Sequence, residues 1–224
     1  MKKALAIILF LTGLLLLSSK FILSNSISRN NEKLIKEFEI TDISKNVIEN
    51  KNEDLFEFDD IEYITPTKTF LSLDKIDKNS IIGQIVMPTI DTNLVIFNGI
   101  SEAKLLAGVS TMKSGQEMGK GNYSIAGHYG IKDELFHNIE KLKDGDIVKI
   151  TDKENIYYYE INDREIVYPN RVHLIEDREE NKEEPIISLM CCYYENGKNS
   201  GKRLFVRGKL VDVKPYTIDE MEAK

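Results

Sequence analysis

The chain has 224 residues, with 30 Lys plus Arg against 37 Asp plus Glu, a formal net charge of −7. That acidic balance excludes the basic face a nucleic-acid binder needs, so no nucleic-acid partner is expected. Two cysteines are too few for a disulfide scaffold or a Cys-rich zinc site, and 42% hydrophobic residues suit a globular protein. The length fits one compact domain with an appendage.

The appendage comes first. Residues 1–3 are a short basic start, which its two lysines hold on the cytoplasmic side. Residues 4–23 are apolar apart from Ser18, Ser19 and similar small polar groups, and Lys20 is their one charge. Twenty positions in a helix rising about 1.5 Å each span about 30 Å, the thickness of a bilayer core. A cleaved signal peptide shares this beginning, with Ser24-Asn25-Ser26 as its cleavage site. The apolar stretch resumes at Phe21-Ile22-Leu23 after the serines, which favours a retained single-pass anchor in lipid with the remainder of the chain extracellular.

Residues 24–70 read as an acidic stalk or linker, partly helical. Between Arg29 and Asp60 there are five basic and ten acidic residues, while Leu34, Ile35, Phe38, Ile43 and Val47 recur near helical spacing. A solvated spacer and a regulatory arm both fit this stretch.

Residues 71–215 read as a β-rich domain, and 216–224 as a C-terminal tail. In chain order the expected strands are 81–88, stopping at Pro88, then 93–97, 122–127, 146–150, 156–161, 165–168, 186–192 and 203–211. Ser101 to Gly108 is a short helix with Ser101 as N-cap and Gly108 as its stop. Leu135 to Leu142 suggests one or two helical turns. About eight short strands with few helices argue for a closed barrel or a sandwich, and no glycine-rich phosphate loop appears.

Three histidines are available. His137 and His173 read as packing or surface groups, whereas His128 falls between Gly127 and Gly130, where a strand opens into a loop. Cys191 and Cys192 end a strand, so one faces the core and the other faces out. A thiol and an imidazole at two strand ends fit a cysteine nucleophile, and two packed cysteines fit the same pattern. Arg203 opens the next strand. If a hairpin returns it to Cys192 it can stabilise an oxyanion; otherwise it is a solvated edge charge.

Taken together these residues resemble a sortase, the cell-wall transpeptidase of Gram-positive bacteria, most closely class A. Ser124-Ile125-Ala126-Gly127-His128 is similar to the family's strand before its histidine. Ser188-Leu189-Met190-Cys191-Cys192 is similar to its Thr-Leu-x-Thr-Cys segment, with Ser188 and Cys191 at the threonine positions. Arg203-Leu204-Phe205-Val206-Arg207-Gly208 is similar to the strand its arginine opens, and the resemblance covers residues 75–212.

The resemblance implies a closed eight-stranded β-barrel with short helices beside the N-terminal transmembrane helix. It implies Cys192 as nucleophile, His128 and Arg203 as its partners, and Ala107, Val109, Ile187 and Leu189 as apolar walls of a substrate groove. The implied partners are secreted proteins with a Leu-Pro-x-Thr-Gly-like C-terminal signal and a cell-wall precursor amine. No metal or organic cofactor is implied. The calcium-binding variety carries acidic residues just before the histidine strand, where this chain has Lys113, Gln116 and Lys120. A hydrolytic cysteine protease and a non-catalytic membrane-tethered binding module are the rival readings.

Overall fold

A computed structural model of the chain describes residues 2–43 and 76–222. The stalk residues 44–70 therefore lie outside the described residues.

Helix α1 (Lys2–Ile40) runs through the expected boundary between anchor and stalk. Among the described residues, no single helix is long and apolar enough to cross a membrane. The segments Lys3–Leu14 and Ser18–Ile40, bent by 42° to each other, pass that test only together. The first segment exposes Leu5, Leu9 and Phe10. In the second, Leu23, Ile27, Leu34 and Phe38 are buried. Their spacing of four, seven and four residues makes one apolar stripe, and the barrel covers it. Leu34, Ile35, Phe38 and Ile43 pack with Ile81, Val95, Phe97 and Ala107. Polar contacts tie the same half down. Ser24 Oγ donates to Glu134 Oε2 at 3.1 Å, and Lys78 Nζ lies 2.7 Å from Glu37. Lys153 Nζ donates to the carbonyls of Phe38, Glu39 and Thr41, groups a helix C-terminus leaves unpaired.

Eight strands follow: β1 (Ile81–Met87), β2 (Thr92–Phe97), β3 (Val109–Thr111), β4 (Asn122–Gly127), β5 (Ile147–Thr151), β6 (Asn155–Val167), β7 (Ile186–Glu195) and β8 (Lys198–Pro215). They close into a barrel in the order β1-β2-β3-β4-β7-β8-β6-β5. Pairs β2–β3 and β4–β7 are parallel and the other neighbours antiparallel. Inward residues from all strands, among them Ile85, Ile125, Ile150, Ile161, Leu189 and Val206, fill the interior.

The expected barrel is therefore present, with its parts distributed differently. The stretches 156–161 and 165–168 belong to one strand, β6, whose register shifts between Ile161 and Asp163. The three-residue β3 is an addition. The helix expected over 101–108 is α2 (Glu102–Ala107), preceded by Ser101. Between Leu135 and Leu142 only a 3₁₀ turn forms, at Ile139–Lys141. Leu135 itself has φ +58°, which breaks any helix there.

Candidate active site

Strand register builds the site. The β7–β8 hairpin closes at Asn196-Gly197, whose φ values of +50° and +74° are those of the tight turn that matches strand twist. The ladder then sets Cys192 directly opposite Arg203, with a register shift between Cys192 and Tyr194. A bulge at that point re-aims the neighbouring side chains. On the other side of β7, strand β4 runs parallel, and its last pair is Ala126 with Met190. Two residues beyond that pair the chains carry His128, just past the end of β4, and Cys192, still in β7. Strands β4, β7 and β8 are neighbours in the barrel, so the end of β4 that leads into His128 lies on the side of β7 opposite Arg203.

Cys192 and Arg203 also share one face. Cys191 is buried in the barrel interior with Ile187 and Leu189, while half-buried Cys192 points the other way. Tyr123 and Ile125 point inward on β4, and Leu204 and Val206 on β8. Alternation therefore puts Ala126, Arg203 and Phe205 on the outer face with Cys192; His128 follows just past the end of β4. Gly127 permits the bend at His128: a Cβ there would lie 2.7 Å from the Phe136 ring. The Phe136 N–H donates to the His128 carbonyl at 2.9 Å, fixing the loop that carries the imidazole.

The two thiols differ. Burial, with the Cys192 thiol and Glu140 adding to it, pushes the Cys191 thiol well above the ordinary cysteine range, so it stays protonated. Cys191 Sγ donates to the Cys192 carbonyl at 3.3 Å. Arg203 Nη1 donates to the Lys202 carbonyl at 3.3 Å. Among the described residues no carboxylate pairs with Arg203, so its guanidinium remains available to an anion. Two aromatic contacts lie beside the site. Tyr129 stacks on Tyr194 at 4.2 Å between ring centroids, and it meets His137 at 4.5 Å. His173 is exposed on the 3₁₀ turn Val172–Leu174.

The four residues expected to wall a groove lie elsewhere. Val109, Ile187 and Leu189 are barrel-interior residues, and Ala107 packs beneath α1; all four are fully buried. They offer no surface to a substrate. The apolar residues on the outer face are Ala126, Val167, Phe205 and half-buried Met190, with Leu174 and Ile175 above them from the β6–β7 connection. Sequence reasoning also missed Glu102, whose Oε1 lies 3.4 Å from His128 Nε2. In the sequence it is only an acid at the first position of the helix that precedes β3, with nothing local to mark it as a neighbour of His128.

The cross-strand pair of Cys192 and Arg203, with His128 just past the end of the adjoining strand, makes a candidate cysteine site on a closed mixed barrel of the sortase class. Comparison with known proteins agrees. The Sortase domain model matches residues 85–211. The chain is 34% identical to Sortase A of Listeria monocytogenes over 227 residues, covering 100% of this chain and 97% of that one. It is 38% identical to Sortase A of Bacillus anthracis over 140 residues, 62% of this chain and 64% of that one. The solved structure of the Listeria monocytogenes enzyme superposes with a TM-score of 0.59 at 33% identity, covering 65% of this chain and 99% of the other. The chain belongs to the sortase family of cell-wall transpeptidases.

Proposed function

We propose that this chain is a membrane-anchored cysteine transpeptidase. It cleaves a Leu-Pro-x-Thr-Gly-like sorting signal between Thr and Gly and passes the acyl group to a cell-wall precursor amine. The observation that carries this reading is the cross-strand pairing of Cys192 with Arg203, with His128 just past the end of the adjoining strand β4.

The Cys192 thiolate attacks the threonine carbonyl carbon, forming an S–C bond and a tetrahedral oxyanion. The guanidinium of Arg203 faces that oxyanion and lowers its energy. As the C–N bond breaks, the His128 imidazolium gives a proton to the departing glycine amine. The neutral imidazole then takes a proton from the incoming amine, which attacks the thioester and restores an amide. Each step uses side chains of this chain alone. Met190, two residues before Cys192 on the same face, offers apolar surface to the signal. The half of α1 that exposes Leu5, Leu9 and Phe10 lies in lipid, with the barrel on the extracellular side.

The test is turnover of a fluorogenic sorting peptide with and without a glycine-peptide amine, with products weighed by mass spectrometry. Wild type yields the amide-joined product, and Cys192→Ala yields none. Equal turnover by the two proteins, or an acid product regardless of the amine, overturns the reading.

A further inference from the structure

We propose that Glu102 is a positioning residue that holds the His128 ring through Nε2 and leaves Nδ1 to exchange protons with the reacting groups. This deepens the transpeptidase reading and rests on it. Glu102 Oε1 lies 3.4 Å from His128 Nε2. Both Glu102 carboxylate oxygens and His128 Nε2 are buried and have no hydrogen-bond partner. A buried carboxylate without a donor is costly, and a native fold keeps one where another group completes it. The imidazole, at 3.4 Å, is placed to complete it. The separation exceeds the 2.7–2.9 Å or so of a formed charge-assisted hydrogen bond. Catalytic hydrogen bonds are commonly long before substrate arrives and tighten when water is expelled.

The local fold explains why this pair meets. Glu102 is the first residue of α2, which leads into β3, and β3 pairs with β4 through Val109 and Gly127. The acid therefore reaches the imidazole from the side of β3, while β7, the strand that carries the thiol, lies on the other side of β4. During acylation the imidazolium loses its Nδ1 proton to the departing amine while Nε2–H stays on Glu102. During aminolysis Nδ1 regains a proton from the attacking amine. The carboxylate changes neither bond nor proton; it keeps one ring orientation through both halves and offsets the imidazolium charge.

The experiment uses the full-length chain in detergent micelles, as wild type, Glu102→Ala and Glu102→Gln. In Glu102→Ala, kcat for the sorting peptide falls about 10- to 100-fold with KM unchanged, the size of one hydrogen bond to a charged group. Glu102→Gln keeps the accepting oxygen without the charge and falls between. A second readout does not depend on turnover. In histidine-labelled protein, the His128 Nε2–H proton gives a slowly exchanging NMR signal, present in wild type and Glu102→Gln and lost in Glu102→Ala. A wild-type kcat in Glu102→Ala, or an identical His128 signal in all three proteins, overturns the proposal. If the signal behaves as stated while wild type turns over no peptide, the pairing stands and the transpeptidase reading fails.

Discussion

Lys113 and Asp177 form an ion pair of 2.8 Å, and the same Asp177 oxygen accepts the Asn122 N–H at 2.7 Å. This contact fastens the β6–β7 connection to the start of β4. The connection carries Leu174 and Ile175, which cover the outer-face cluster next to Cys192. Burial works to raise the Asp177 carboxyl, but the Lys113 ammonium and the Asn122 amide outweigh it and hold it below the usual carboxylate range. A depressed folded value means that the contribution is full above the unfolded value, near 3.9, and is lost as pH falls through the folded one. The contact therefore holds at neutral pH and fails only below about pH 4. Because Asp177 is largely exposed, the effect is small. Lys113→Ala is expected to raise the sorting-peptide KM about two- to fivefold, in the range of exposed ion pairs, with kcat retained. Faster hydrogen exchange at the Asn122 amide, at pH 7, checks the same contact without substrate.

The C-terminal half of α1 is a strut docked on the barrel. Phe38 is almost fully buried against Ile81, Val95 and Phe97, and Lys153 Nζ lies 5.2 Å from its ring centroid. Phe38→Ala is expected to destabilise the protein by roughly 3 kcal/mol, read as a lowered midpoint in denaturant. Ser24 reaches Glu134, whose carboxylate also accepts the Ile131 and Lys132 amides in the loop that follows His128. Loss of the docked helix thus disturbs the His128 loop as well as the stability.

Gly127 provides a sharper probe of that loop. Adding a methyl group at this position drives it against the Phe136 ring, which overpacking data place at about 1–3 kcal/mol. Gly127→Ala is expected to lower kcat more than it raises KM, because the strain falls on the residue before His128. Single-turnover kinetics separate the two effects.

The sequence made the site legible because strand alternation and hairpin register are local rules. Parity separates Cys192 from Cys191, and the Asn196-Gly197 turn returns Arg203 to its partner. The same parity, applied to residues 187, 189 and 190, selects Met190 for the outer face and consigns Ile187 and Leu189 to the interior. The three-residue β3 is buried throughout and shows no alternation to read. Strand β6 looked like two strands because its register shift falls where polar Asn162, Asp163 and Arg164 are exposed. The helix expected after Leu135 gave way because Glu134 satisfies the amides of Ile131 and Lys132 in a turn. Glu102 was illegible because its closeness to His128 depends on how α2 is carried across β3, which no local pattern encodes.

Cys192, and not its neighbour, is the thiol proposed to carry the acyl group. Because the two thiols are adjacent, the direct measurement is mass spectrometry of the acyl-enzyme trapped from a sorting peptide on Cys191→Ala and Cys192→Ala separately. The account predicts one acyl adduct on Cys191→Ala and none on Cys192→Ala. An adduct on Cys192→Ala, or its absence from an active Cys191→Ala protein, contradicts it.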